Sequence, residues 1–369
     1  MDTFAFIIHP IDAKRDVSRK FPLLVRLLTE RQIDFFSTFF PPVYISEIEG
    51  IKSEATGKEI KGWFIACPYT PRRMMELPEQ TVYRKVIQTG RLAEKLGAQI
   101  LGLGAFTSVV GDAGITIANA LNVPVTTGDS YTVTVAVDAL REAAHVMDIP
   151  LQGTTAAVVG ATGAIGQVCT ELLADDVERL YLIGRRQEAL EELRDRLKVR
   201  ARAELITSTT MDVLANAQLI LTVTSSIHDV VRPEHLQPGS VVCDVARPRD
   251  VSAMVAAARD DILVIDGGMV DIPGPVNFHF NFGFPAGKAY ACMAETIALA
   301  LEGRFEDYTL GKHLTRERVE EINEIAKKHG FRLSGFRSFE REVTEQQIET
   351  VRRNARRARN ARKLHALHS

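Results

Sequence analysis

Residues 155–186 constrain the fold of this chain most. A short apolar run, Ala156-Ala157-Val158-Val159, lies between Gly153 and Gly160. A run of that length bounded by glycines reads as a buried parallel strand. Gly160-Ala161-Thr162-Gly163-Ala164-Ile165-Gly166 follows, a G-x-x-G-x-x-G turn. The pattern then predicts a helix over 167–174 and a second strand over 180–183, closed by Gly184-Arg185-Arg186. Gly160 permits the tight turn, Gly163 lets backbone approach a pyrophosphate, and Gly166 lets the helix pack against the strand. The free N–H groups of the helix start would face phosphate oxygens. The candidate cofactor-binding turn is therefore Gly160, Thr162, Gly163, Ala164, Ile165 and Gly166. An NAD enzyme usually carries an acid after the second strand, for the ribose 2′-hydroxyl. Arg185 and Arg186 stand there instead, which suits a 2′-phosphate and so NADP(H).

The rest of the chain supports a two-domain α/β protein. Its 369 residues suffice for two cores, and 46% apolar with 25% charged residues is ordinary for a globular enzyme. A net charge of −2 gives no global nucleic-acid signature. Cys67, Cys169, Cys243 and Cys292 lack metal-type spacing, and scattered cysteines suit a reducing compartment. The start MDTFAFIIHP lacks a signal-peptide pattern, so a cytoplasmic location is expected. A strand is expected over 3–9, a helix over 17–29 and a hairpin over 45–66 around Thr56-Gly57-Lys58. Phe35, Phe36, Phe39, Phe40 and Tyr44 crowd around Pro41-Pro42, either as core or as the wall of an apolar cavity. Helices over 81–96, 115–121 and 131–147, with a strand over 100–103, predict a second α/β domain. Asp129 or Ser130 could cap the last of these helices or contact substrate.

Within the nucleotide domain a helix is expected over 188–197, and strands over 217–223, 239–245 and 262–265. Thr224 and Ser225 follow the first of those strands. Ligands bind off strand carboxyl ends in such sheets, so both are candidate cofactor neighbours. Residues 271–287 alternate Phe278, Phe280, Phe282 and Phe284 with His279, Asn281 and Gly283. The segment reads as a half-buried strand or as an irregular flap over an acyl chain. Helices are expected over 288–302, which carries Cys292, and over 316–329. Residues 350–369 hold seven Arg or Lys and no acid, a basic amphipathic helix or a disordered arm. The expected division is residues 1–150 (substrate domain), 151–275 (Rossmann NADP-binding domain), 276–340 (a helical segment returning to the substrate domain) and 341–369 (basic tail).

The chain resembles the aldehyde-forming long-chain acyl-[acyl-carrier-protein] reductases best known from cyanobacteria. The resemblance covers roughly residues 35–333. It rests on Pro41-Pro42, Thr56-Gly57, Leu103-Gly104 with Phe106 and Ser108, Thr126-Thr127-Gly128 with Thr132, and the glycine turn. Gly267-Gly268-x-Val270 and Lys328-His329-Gly330-Phe331 extend it. Its most specific piece is Ala291-Cys292-x-Ala294-Glu295, followed by Ile297 and Glu302-Gly303. The family has Asp where this chain has Ala164, and the basic tail exceeds the family core.

The resemblance implies NADPH-dependent reduction of an acyl thioester, carried by acyl carrier protein or coenzyme A, to a fatty aldehyde. It assigns the acylated nucleophile to Cys292. A thiolate takes the acyl group and hydride then reduces the enzyme thioester, two easier steps in place of one. A helix N-terminus or a cation, here Lys288, would lower the thiol pKa. Oxyanion donors are sought at Ser130 and in backbone N–H groups near Cys292, and acids at His279 and Tyr290. Expected partners are the acyl carrier protein or acyl-coenzyme A and an aldehyde-consuming enzyme, with no nucleic acid. The basic tail could meet the acidic carrier protein or an anionic membrane surface. Two other readings remain. A shikimate-type dehydrogenase would need a Lys–Asp pair, for which Lys95 and Asp112 are present; a nucleotide-sensing scaffold would act through the tail.

Overall fold

The computed structural model describes every residue except Ala105, Ile227, His228, Arg247, Pro248, Phe284, Glu340 and Ser369, and the side chains of Leu24, Val109 and residues 362–368 lie outside the description too. Two compact units emerge: Met1–Thr132 with Val270–Arg332, and Val133–Met269 with Leu333–Ser369. The divisions fall near residues 132, 269 and 332, where the sequence placed them near 150, 275 and 340.

The first unit is built on a five-stranded sheet of order β2-β3-β1-β4-β5. Its strands are β1 (Asp2–Ile8), β2 (Val43–Lys52), β3 (Glu59–Ala66), β4 (Leu101–Leu103) and β5 (Val125–Thr126). β2 and β3 form the antiparallel hairpin; the other neighbours run parallel. Alternation along β1 sends Ala5 and Ile7 into one core, against Val82, Val86 and Ala93 of the helix Glu79–Leu96. Phe6 faces the other way and lies beside Gly102 of β4.

The expected single helix over 17–29 is instead three pieces: α1 (Ala13–Ser18), α2 (Pro22–Leu27) and α3 (Glu30–Ser37). Pro22 disfavours helical backbone at Phe21 and is itself tolerated at a first helical position. Thr29 then starts α3 with a capping box to Gln32. The aromatic cluster after it is neither core nor cavity wall: Phe35, Phe36, Phe39, Phe40 and Tyr44 are all exposed.

The second unit is a six-stranded parallel sheet of order β11-β10-β9-β6-β7-β8. The strands are β6 (Thr155–Val159), β7 (Arg179–Ile183), β8 (Glu204–Ser208), β9 (Leu219–Thr222), β10 (Val241–Asp244) and β11 (Leu263–Asp266). This is the 3-2-1-4-5-6 order of a dinucleotide-binding domain, with its switch point between β6 and β9. β8 went unread in the sequence because its residues are only half-buried and carry no clean alternation. The basic tail is a helix, Glu345–His368, not a disordered arm. Ile348 and Ala355 are buried, and Gly239 comes within 3.1 Å of Ala355 Cβ once a Cβ is built on it. Arg352 and Arg356 both pair with Asp148, Arg356 at 3.0 Å.

The segment 271–287 forms no continuous strand. Proline at 273, 275 and 285, and left-handed glycines at 274, 283 and 287, break the period. An isolated bridge joins Asn277 to Glu49, Lys52 N–H donates to Pro273 O, and Phe278 and Phe282 pack on Phe64 at 5.6 and 5.1 Å. Phe284 lies outside the described residues. No helix of the described residues is long and apolar enough to cross a membrane.

Candidate active site

Two segments that are far apart in sequence meet in the first unit. The first is Thr126-Thr127-Gly128-Asp129-Ser130, which ends β5 and opens the helix Asp129–Val146. The second is a short strand, Lys288–Tyr290, followed by the helix Ala291–Glu302. The sequence expected one helix from Lys288. Its true start puts Cys292 at the second helical position, and Tyr290 provides no side-chain cap. Lys288 is therefore not one helical turn from the thiol; its ammonium lies 3.2 Å from Asp271.

The two segments touch through Gly128. A Cβ there would lie 2.3 Å from Cys292 Cα and 2.4 Å from its Cβ, and φ is +82°. Only glycine satisfies both the contact and the conformation. Glu295, one turn beyond Cys292 and fully buried, locks the arrangement. It accepts from Tyr131 N–H at 2.8 Å, from Thr309 Oγ1 at 2.8 Å and from Thr126 Oγ1. Burial pushes its carboxyl above the usual range, and these donors pull it back. The helix lies on β1 and β4, where Gly102 leaves room for Thr296.

Ser130 is buried inside this network. Thr309 Oγ1 lies 2.8 Å from both Ser130 Oγ and Glu295 Oε1. One hydroxyl has one proton, and the carboxylate is the stronger acceptor, so Ser130 donates to Thr309. Ser130 thus serves the network rather than an oxyanion. His279 is exposed and hydrogen-bonds Glu49 at 3.1 Å and Asn277, so the structure does not bring it to Cys292.

Sequence reasoning offered Asp129 as a helix cap or a substrate contact, without a titrating role, and named Glu295 only within a motif. Asp129 is half-buried, and burial together with the neighbouring Glu295 raises its carboxyl to about 7. Thr127 Oγ1 is buried without a hydrogen bond of good geometry, yet sits close enough to oppose that rise. The signal available in sequence was the joint presence of Thr126-Thr127-Gly128 and Cys292-x-x-Glu295.

Cys292 also differs from the other cysteines. Cys67, Cys169 and Cys243 are buried, whereas Cys292 is partly accessible. Burial pushes the Cys67 thiol to about 11 and the Cys169 thiol to about 12, so neither supplies thiolate near neutrality.

In the second unit the glycine turn fits a dinucleotide. Gly160 has φ +88°, and a Cβ there would meet Val223 O at 2.7 Å. A Cβ on Gly166 would meet Gly160 O at 2.1 Å, so helix and turn are in backbone contact. Gly163 is the N-cap, without a side-chain cap, of the helix Ala164–Leu173, which leaves the first-turn N–H groups facing outward for phosphate. Thr162 accepts at its carbonyl from Gln167 Nε2. Arg185 and Arg186 are exposed directly after β7. Thr224 places its methyl against Gly160, while its hydroxyl and N–H donate to buried Asp250; Ser225 is exposed. Lys95 is exposed on its helix, and Asp112 caps Thr116, so the pair a shikimate-type reaction would need is not formed.

Fold and turn define a Rossmann oxidoreductase that uses a nicotinamide dinucleotide. A family model described as shikimate/quinate 5-dehydrogenase matches residues 141–266, the dinucleotide-binding part alone. A long-chain acyl-[acyl-carrier-protein] reductase of Synechococcus elongatus is 31% identical over 346 residues, covering 89% of this chain and 98% of that one. The chain belongs to that reductase family. The aminotransferase PigE of a Serratia species is 34% identical over 363 residues, 95% of this chain; the chain spans only 42% of PigE's length. Among solved structures, L-tryptophan dehydrogenase of Nostoc punctiforme aligns with a TM-score of 0.42 at 13% identity, over 98% of this chain and 89% of that one.

The raised Asp129 carboxyl makes a testable demand. An acid whose folded pKa exceeds its unfolded value of about 4 keeps its contribution at low pH and loses it as pH rises. Asp129→Asn cannot titrate. Urea unfolding is therefore expected to find parent and variant nearly alike near pH 3.5, with the variant increasingly the more stable as pH rises through about 7. A stability difference that does not change with pH would mean that Asp129 is not held protonated.

Proposed function

We propose that this chain reduces a long-chain acyl thioester, carried by acyl carrier protein or coenzyme A, to the fatty aldehyde with NADPH. The observation that carries this reading is the accessible thiol of Cys292 at a helix start, packed on Gly128 and held by Glu295. Membership of the reductase family supports the reaction class.

The chemistry follows from the residues. The thiolate at Cys292 attacks the thioester carbonyl, and the carrier thiol leaves with a proton. Asp129 donates that proton to the departing sulfur and is left as the carboxylate, because its carboxyl titrates near neutrality in the segment packed on Cys292. First-turn N–H groups of the helix Ala291–Glu302 stabilise both the thiolate and the oxyanion of the tetrahedral intermediate. Glu295, Thr126, Thr309 and Ser130 hold the two segments in register. NADPH, when bound, supplies the hydride that converts the acyl-cysteine to aldehyde. Gly160, Gly163 and the first turn at Ala164 and Ile165 would hold its pyrophosphate, and Arg185 and Arg186 its 2′-phosphate. On the tail helix, Arg353 and Arg357 are exposed and take no part in the ion pairs at Asp148, and they would meet the acidic carrier protein.

Incubating the protein with palmitoyl thioester but without NADPH should give one acyl adduct by intact mass, and Cys292→Ala should abolish both adduct and turnover. An alanine variant that keeps more than a few per cent of activity would remove Cys292 from the mechanism. For the cofactor, Arg185→Ala with Arg186→Ala should raise the NADPH KM by about 10- to 150-fold, the worth of one lost charge-assisted contact, and leave the NADH KM nearly unchanged. Equal effects on both cofactors would place the 2′-phosphate elsewhere. Arg353→Ala with Arg357→Ala should lower kcat/KM for acyl carrier protein and flatten its salt dependence, with acyl-coenzyme A less affected. Unchanged carrier-protein kinetics would exclude the tail from docking.

A further inference from the structure

Fourteen large apolar side chains of the described residues are exposed, and nine of them fall between Ile11 and Tyr44. Apart from Tyr44, which lies on β2, they belong to α1, α2, α3 and the turns that flank them. The interior of this small helical cluster consists of Ala13, Val25 and Ile33, with Val17 and Leu28 partly buried against them. Its exterior carries Leu23 at 71% exposure, Leu27 at 84% and Phe39 at 71%, with Phe21, Phe35 and Phe36 beside them. Phe35 packs edge-on against Phe36 and Phe39 at 5.5 and 5.8 Å, so the rings form one projecting group. More large apolar residues face out than in. Folding does not require those outward positions to be apolar, and a concentrated patch of this kind marks a contact surface.

The charges of the same segment select the occupant. Asp12 caps α1, Asp16 accepts from the Ile11 and Asp12 N–H groups, and Asp34 accepts from Thr70. The acids are thus turned inward, with Glu30 as the exception. Lys14, Arg26 and Arg31 are exposed, and among the described residues they have no ion pair. Apolar depth with outward cations is the pairing that anchors a protein at an anionic bilayer surface, because each signal alone binds weakly. We propose that α1–α3 and the turn that follows form an interfacial anchor for an anionic lipid membrane. The reductase reading would give such an anchor a use, since a long-chain aldehyde partitions into lipid, but the proposal does not depend on it.

The test is co-sedimentation of the full chain with vesicles of phosphatidylcholine alone and with vesicles that also contain phosphatidylglycerol. Binding is expected to the second kind and weakly to the first. Leu23→Ser, Leu27→Ser and Phe39→Ser together remove exposed side chains only, so the melting temperature should hold while the partition coefficient falls by about tenfold or more. Arg353→Ala with Arg357→Ala should leave binding in place. No binding by the parent, or undiminished binding by the triple variant, would overturn the proposal. So would binding lost only in the tail variant. Gel filtration provides the remaining outcome: a parent that self-associates and a triple variant that is monomeric, without vesicle binding, would make the occupant a second copy of this chain. Vesicle binding is read without turnover, so failure of the reductase assay and failure of the anchor are separately visible.

Discussion

The carboxylate of Glu295 is the interaction on which the first unit depends. It is fully buried, and burying a carboxylate costs several kcal/mol unless hydrogen bonds replace its water. Its donors come from Thr126, Tyr131 and Thr309, residues up to 169 positions away in the chain. The requirement to satisfy that one charge therefore sets where the end of β5 must lie against the helix that carries Cys292. An apolar residue there could pack as stably, but it would fix no such register. Gly128 completes the constraint, because the backbone approach to Cys292 leaves no space for a side chain.

The second unit solves a similar problem with the same chemistry. Asp250 is buried and accepts from the hydroxyls of Thr222 and Thr224 and from Thr224 N–H. Asp244, equally buried, accepts from the N–H groups of Ala246 and Val251. These bonds satisfy the chain where it leaves β9 and β10, at the strand ends where a dinucleotide domain receives its ligand. Thr224 illustrates the division of labour. Its hydroxyl is spent on Asp250, and its methyl lies against Gly160. It shapes the turn from behind rather than reaching forward.

What could be read from sequence follows from how local each determinant is. The strand–turn–helix at 155–173 is legible because its glycines and apolar run act over a few residues. The break at Pro22 is equally local, but the apolar spacing around it imitates one long helix. The direction of Phe35, Phe36 and Phe39 was not legible, since a pattern reports apolarity and not which side is covered. The site was legible by halves. Cys292 and Thr126-Thr127-Gly128 were both visible as motifs, yet their contact depends on a long-range register that no periodicity encodes. The raised carboxyl of Asp129 was not legible for the same reason: burial and Glu295 cause it, and both depend on that long-range register.

Two carboxyls on the segments that meet at Cys292 raise a question of sign, because negative charge disfavours thiolate. Position answers part of it. The helix start brings partial positive charge to Cys292, and it acts within the first turn, where Cys292 stands. Titration answers the rest. A carboxyl raised to about 7 is mostly protonated below neutrality and then adds no charge to this site. In the proposed reaction protonated Asp129 can thus give its proton to the departing carrier thiolate, and the carboxylate this leaves repels no thiolate, because the Cys292 sulfur is by then a neutral thioester. Acylation is favoured by the same electrostatics that would otherwise oppose ionisation, which gives a half-buried aspartate at this position a chemical reason that a helix cap alone would not supply.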